Sequence, residues 1–303
     1  MNNIAIQKPL LPGLLLASFG AIAFSGKAII VKLAYRYGVD AVTLIMYRML
    51  FALPIFALMA WWANRRQDAA TKVALTRKDW FGVLGLGFTG YYLASFLDFA
   101  GLAYISASLE RLILYLNPTL VMLLSLLLYK RRASQRQVVG MAVSYCGVVL
   151  VFGHEIALQG AHAAWGALLV FLSAISYAIY LVYSGEMVKR LGSLRLVGLA
   201  SSVACLFCLL QFVLLRPLSA AVVAPEVIWL SLLNATLCTV VPVLLVMMAI
   251  ERVGASVTAQ AGMIGPISTI LMGVVILGEP FTAWVAAGTV LVIAGIFVFT
   301  RAR

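Results

Sequence analysis

Five ionisable side chains, Lys27, Arg48, Asp98, Glu110 and Arg111, interrupt stretches of sequence that are otherwise almost wholly apolar. A charge in such surroundings costs about 2.5–3.5 kcal/mol on insertion scales, so each needs a partner or a water-filled cavity. Lys27 or Arg48 is expected to pair with Asp98 or Glu110, and three bases against two acids leave one positive charge in surplus. Two chemistries fit. One is a positive vestibule that attracts a carboxylate, with Lys27 steering it; the other is a structural ion-pair cluster with snorkelling long chains. Asp98 and Glu110 are also the candidate protonation sites of a proton-coupled cycle.

Around these charges, aromatic and weakly polar residues recur at spacings of three and four, which place them on single helix faces. They are Tyr91, Ser95 and Asp98; Ser108, Arg111 and Tyr115; Tyr177, Tyr180 and Ser184; and Ser256, Gln260 and Met263. The candidate substrate-binding set is therefore Lys27, Tyr91, Ser95, Asp98, Arg111, Tyr115, Tyr177, Tyr180, Gln260 and Met263. Rings in such a set stack on apolar or cationic solutes. Ordinary packing between helices would produce the same spacing. Two apolar stretches carry a central proline, in Asn117-Pro118 and Gly265-Pro266. Proline frees the carbonyl four residues earlier, here Leu114 and Gly262, which then needs another partner or a cavity. Pro118 and Pro266 are the candidate hinges, with Pro54 and Pro242 as further ones.

Other chemistries lack their residues. Gly85-Leu-Gly-Phe-Thr-Gly90 spells a dinucleotide fingerprint, but it lies inside an apolar run with no strand before it, so close helix packing is the expected role. No nucleotide site is found, and no cofactor is expected. The histidines, His154 and His162, fall in one expected outer loop without metal-ligand companions, and no nucleophile and base are arranged for catalysis. An enzyme is not expected. Cys146, Cys205, Cys208 and Cys238 all fall in apolar runs, where a disulfide framework is not expected.

The elements that hold these groups follow from composition. The 303 residues are 64% hydrophobic and only 11% charged, and a water-soluble fold of that size could not hide so much apolar surface. Hydrophobic runs long enough to cross a hydrocarbon core of about 30 Å are expected near 10–34, 41–62, 80–103, 106–128, 137–152, 164–186, 196–215, 227–250, 255–277 and 282–300. The first follows a single basic residue, Lys8, and reads as a retained span. The net charge of +12 is not gathered into a stretch that could wrap nucleic acid. It reports topology instead: Arg65 to Lys78, Lys130 to Arg136, Lys189 to Arg195, Arg252, Arg301 and Arg303 belong on the inner side, against Lys32, Arg36 and Arg216 outside. Both termini are expected in the cytoplasm and the chain in the cell (inner) membrane.

The chain also repeats itself. Pro118 and Pro266, Gly140 and Gly288, and Gly147 and Gly295 are each separated by 148 residues, and Ala107-Ser108 and Ala255-Ser256 obey the same offset. Duplication is the economical explanation. Two units, 1–153 and 164–303, would each hold five spans, an odd number, so the second copy is expected upside down. Loop charge agrees: Lys130-Arg131-Arg132 matches the base-free Gly278-Glu279-Pro280. The expected fold is all-α, with ten transmembrane helices as two inverted five-helix repeats around a central cavity.

At these residues the sequence resembles the drug/metabolite transporter superfamily, in particular its ten-helix EamA-type members. The stretches that carry the likeness are Phe24 to Lys27 through Lys32 and Arg48, Asn117-Pro118 through Gly147, and Gly265-Pro266 through Gly295 with Leu277-Gly278-Glu279. One departure is Lys130-Arg131-Arg132, where the family often has an acid after the fourth span. Within the superfamily it looks like the YddG-type exporters. That resemblance implies export of amino acids, aromatic ones included, by alternating access. It also implies a basket-like bundle with little substrate contact from the fifth and tenth spans, and a monomer whose partners are a small solute and the bilayer. The alternatives are a proton-coupled exporter of cationic drugs, in which Asp98 or Glu110 binds the cation, and a channel.

Overall fold

The computed structural model describes residues 10–65, 73–129, 134–253, 258, 261, 262 and 264–300. In hydrocarbon every backbone polar group must be satisfied within its own segment, so apolar runs of this length close into helices. They are α1 (Leu10–Tyr35), α2 (Ala41–Arg65), α3 (Arg77–Leu102), α4 (Ala107–Leu114 and Asn117–Tyr129) and α5 (Gln135–Gln159). There follow α6 (Ala161–Leu191), α7 (Ser193–Leu215), α8 (Pro225–Ala235, Thr236–Val240 and Val241–Val253), α9 (Ile264–Leu277) and α10 (Ala283–Thr300). Among the described residues, nine are long and apolar enough to cross a membrane, and α9 is a shorter apolar helix. The chain is a multi-pass, all-helical membrane protein.

One connection differs from expectation. The stretch expected as an outer loop around His154 and His162 is helical on both sides of a single joint, Gly160, whose φ of 72° favours glycine. Each imidazole stacks on an aromatic neighbour, His154 on Trp284 and His162 on Tyr104. Gly192, at φ 78°, joins α6 to α7 in the same way.

Helix contacts follow a reciprocal pattern. Helix α5 packs on α10 and α2 on α7; α1 packs on α8 and α9, while α6 packs on α3 and α4. Counting five helices to a half, exchanging the halves returns the same contact set. The α5–α10 crossing is backbone to backbone: a Cβ at Gly140 would lie 2.7 Å from the Gly295 carbonyl oxygen, and one at Gly147 would lie 2.7 Å from that of Gly288. The rising numbers of one helix meet the falling numbers of the other, so the two run antiparallel. Between these points Ser144 donates to the carbonyls of Gly140 (2.9 Å) and Val292 (3.4 Å).

Of three stretches of π-helix among the described residues, Gly87–Leu93 in α3 and Thr236–Val240 in α8 fall at matching places under the 148-residue offset, while Gly273–Leu277 ends α9. Such wide turns cluster at functional sites. Two of the three fingerprint-like glycines lie here: a Cβ at Gly87 would sit 2.7 Å from the Ala200 carbonyl oxygen and one at Gly90 would run into the Tyr180 ring, whereas Gly85, just before the wide turn, has open space around it. Gly87 and Gly90 therefore serve close helix approach.

The turn after α9 fastens the start of α4. Glu279 accepts from the backbone N–H of Ala107 (2.7 Å) and Ser108 (3.3 Å) and from the Ser108 hydroxyl (2.8 Å). A carboxylate on the free N–H groups of a helix start is favoured both as a cap and by the helix dipole. Arg36 adds a bond to the Leu277 carbonyl at 2.9 Å. We predict that Glu279→Ala lowers stability by about 0.5–2 kcal/mol, with Glu279→Gln retaining part of it, as read by thermal unfolding in detergent.

Candidate functional site

A cavity of about 470 Å³ opens among helices of both halves, α1, α2, α3, α4, α6, α7 and α8, with Gly262 just before α9. That volume lies within the range of about 300–1,000 Å³ typical of small-molecule sites. No residue of α5 or α10 lines it.

Its charged wall is built from α1, α3 and α4. Lys27 Nζ lies 2.5 Å from Asp98 Oδ2 and 3.2 Å from Glu110 Oε1. All three are buried, Glu110 completely. One ammonium thus serves two carboxylates, hydrogen-bonding Asp98 and pairing with Glu110 by charge alone, and Asp98 Oδ1 and both Glu110 oxygens have no hydrogen-bond partner among the described residues.

Glu110 and Arg111 are neighbours on α4, and one helical step turns them apart by about 100°. Glu110 faces Lys27, while Arg111 reaches the cavity. Arg111 Nη2 donates to Ser25 Oγ at 2.8 Å, and that hydroxyl lies against the carbonyls of Ala21 (2.8 Å) and Gly265 (2.9 Å). Phe24, one turn before Lys27, offers its ring to both cations, at 5.5 Å from Lys27 Nζ and 5.3 Å from Arg111 Cζ. Arg48 also lines the cavity. Its Nε donates to Thr239 Oγ1 at 3.0 Å and its guanidinium lies 5.1 Å from the Phe99 centroid. Among the described residues, Lys27 alone contacts both acids, and the two arginines have neutral partners.

Of the residues expected at a binding site, Lys27, Tyr91, Ser95, Asp98, Arg111, Tyr115 and Tyr177 line the cavity. Tyr180 stands behind them, its ring centroid 5.5 Å from both Tyr91 and Tyr177, and is only 6% exposed. Ser108 is taken up by Glu279 and Ser184 by the Leu181 carbonyl. Gln260, Met263 and Ser256 lie outside the described residues, as does the Lys130-Arg131-Arg132 turn.

The proline breaks are satisfied locally. Pro118 follows the two-residue interruption of α4, where the freed Leu114 carbonyl accepts from Asn117 Nδ2 at 2.8 Å. Pro266 lies in the first turn of α9, and the Gly262 carbonyl accepts from the Gly265 N–H at 2.9 Å. Pro242 follows the wide turn of α8 and lines the cavity, whereas Pro54 sits on the exposed side of α2, which continues through it.

Sequence reading passed over Phe24, Ser173 and Thr239 as lining residues. The 148-residue offset held a signal for the last, because it carries Tyr91 onto Thr239, and both belong to the matched wide turns.

Known proteins place this architecture. A crystal structure of another protein superposes with a TM-score of 0.63 over 97% of this chain and 98% of its own, at 20% identity, showing a shared fold. An uncharacterized transporter of Bacillus subtilis (strain 168), YcbK, is 28% identical over 277 residues, 88% of this chain and 86% of its own. An uncharacterized transporter of Archaeoglobus fulgidus is 24% identical over 94% of this chain and 96% of its own. The model of the EamA-like transporter family matches twice, at residues 11–153 and 164–301. With both halves matched, the chain belongs to the EamA-like transporter family, within the drug/metabolite transporter superfamily.

Proposed function

We propose that this transporter exports amino acids and similar small amphipathic metabolites across the cell (inner) membrane by alternating access, its halves being inverted copies of one five-helix unit. The observation that carries the reading is the cavity itself, enclosed by helices of both halves and lined by Phe24, Tyr91, Tyr115 and Tyr177 beside buried charge. Aromatic walls take an apolar body while a few fixed polar groups orient it. The reciprocal helix contacts and the antiparallel α5–α10 crossing support inversion. Inverted halves supply both end states of the cycle, since each can adopt the conformation of the other. Asp98 and Glu110, sharing Lys27, are the groups on which a proton gradient would act. Export of cations is the weaker reading, because both acids already face that ammonium.

Saturable uptake of labelled phenylalanine into proteoliposomes tests the proposal, with and without an imposed pH gradient. Tyr91→Ala and Tyr115→Ala are each expected to lower uptake by about tenfold, the loss of an aromatic contact of roughly 0.5–1.5 kcal/mol together with its buried area. Undiminished uptake in both variants removes the cavity as the site. Reagents that reach single cysteines introduced in the 65–78 and 217–226 connections from the same side would overturn the inversion.

A further inference from the structure

We infer that the transported solute is held by an oxyanion, a carboxylate bound between Arg48 and Arg111, and that a compound carrying this anion without a compensating ammonium is preferred. The inference rests on the carrier reading above and assigns its substrate class. It starts from the division of charge around the cavity. The two acids of the site are both engaged by Lys27, at 2.5 and 3.2 Å. That leaves Arg48 and Arg111, which are 3% and 7% exposed and both line the cavity.

Neither guanidinium has an ion-pair partner among the described residues. Arg48 has a threonine hydroxyl and a phenylalanine ring, Arg111 a serine hydroxyl and another such ring, and Arg111 Nε has no hydrogen-bond partner among the described residues. Hydroxyls and rings orient a guanidinium without cancelling its charge. A buried cation left uncompensated is unfavourable, and a planar carboxylate matches the fork of donors that a guanidinium presents. An entering anion therefore supplies what the wall lacks. An entering ammonium meets the site's net surplus of one positive charge, and the carboxylates it would seek already face Lys27. Tyr115 and Phe24 beside Arg111 give an apolar body somewhere to lie, so the favoured class is an aromatic or branched monocarboxylate.

The test uses proteoliposomes of the full chain and two labelled probes, phenylalanine and its deaminated analogue phenylpyruvate, with unlabelled phenylalaninamide, which keeps the ammonium and loses the carboxylate, as competitor. Both labelled probes should enter saturably, phenylpyruvate should compete at least as well as phenylalanine, and phenylalaninamide should not compete. Arg111→Gln and Arg48→Gln should each weaken phenylpyruvate uptake by at least about tenfold, while Arg111→Lys keeps part of it, since charge survives without the fork. Monodisperse elution of each variant separates lost binding from lost folding. Phenylalanine uptake without phenylpyruvate uptake, effective competition by phenylalaninamide, or full uptake by both well-folded glutamine variants overturns the anion assignment and leaves the carrier reading standing. Absence of saturable uptake of either probe instead removes the carrier reading, and the anion assignment with it.

Discussion

Lys27→Met is expected to be the most damaging single substitution in the protein, lowering stability by about 3–5 kcal/mol. Among the described residues the ammonium is the one cation in contact with both Asp98 and Glu110, and all three side chains are more than nine-tenths buried. Methionine fills a similar volume but leaves two buried carboxylates without a cation in direct contact among the described residues. Removing one partner of a buried pair costs far more than the intact pair contributes, because the stranded charge has lost its water as well. Adding Asp98→Asn should recover part of the loss, and the double-mutant cycle measures that recovery directly. Thermal unfolding of the purified protein in detergent is the measurement. A loss below about 1 kcal/mol, the range of a solvent-exposed pair, would mean that water reaches the cluster and that it is no buried keystone.

The second large effect is expected far from the cavity. A Cβ at Gly295 would lie 2.6 Å from the Gly140 carbonyl oxygen and 2.6 Å from the Ser144 nitrogen, and one at Gly147 would lie 2.7 Å from the Gly288 carbonyl oxygen. These obstacles are backbone, which cannot swing aside as a flexible side chain does. Gly295→Val and Gly147→Val should each push α5 and α10 apart and cost about 1–3 kcal/mol. The two residues occupy the same place in the repeat, so their losses should be similar. Because neither helix lines the cavity, the competition pattern among solutes should stay as in the parent protein. Valine tolerated at both positions, or an altered competition pattern, would contradict this account.

Much of the fold was legible because the bilayer imposes few solutions. Apolar runs between basic turns name the helices, and a fixed offset between prolines and glycines names the repeat. The five intramembrane charges were also visible as a group. Their partnership was not, since helical spacing gives the face a residue occupies on its own helix but not the rotation of the helices opposite. Arg48 and Lys27 were therefore equal candidates for Asp98, and the structure separates them by a hydroxyl: Thr239 holds Arg48 at 3.0 Å, while Lys27 takes both acids. Tyr180 shows the same limit. It is spaced to share a face with Tyr177, yet it fills the layer behind, in the room that Gly90 leaves for its ring. The joint at Gly160 escaped because histidine and glycine beside an apolar run read as a loop, whereas one left-handed glycine suffices to redirect the chain.

The Glu279 cap has a bearing on direction. The position 148 residues earlier is Arg131, a cation where its counterpart is an anion. A helix start attracts one and repels the other. In the inverted, alternating-access arrangement proposed above, the two mouths would therefore be chemically unlike: Glu279 clasps one, and the matching position in the sequence carries the opposite charge. Swapping the roles of the halves in that cycle would then not return the molecule to a state of equal energy. The idle transporter would rest with its clasped mouth shut, a bias set by a connecting turn and independent of the solute inside.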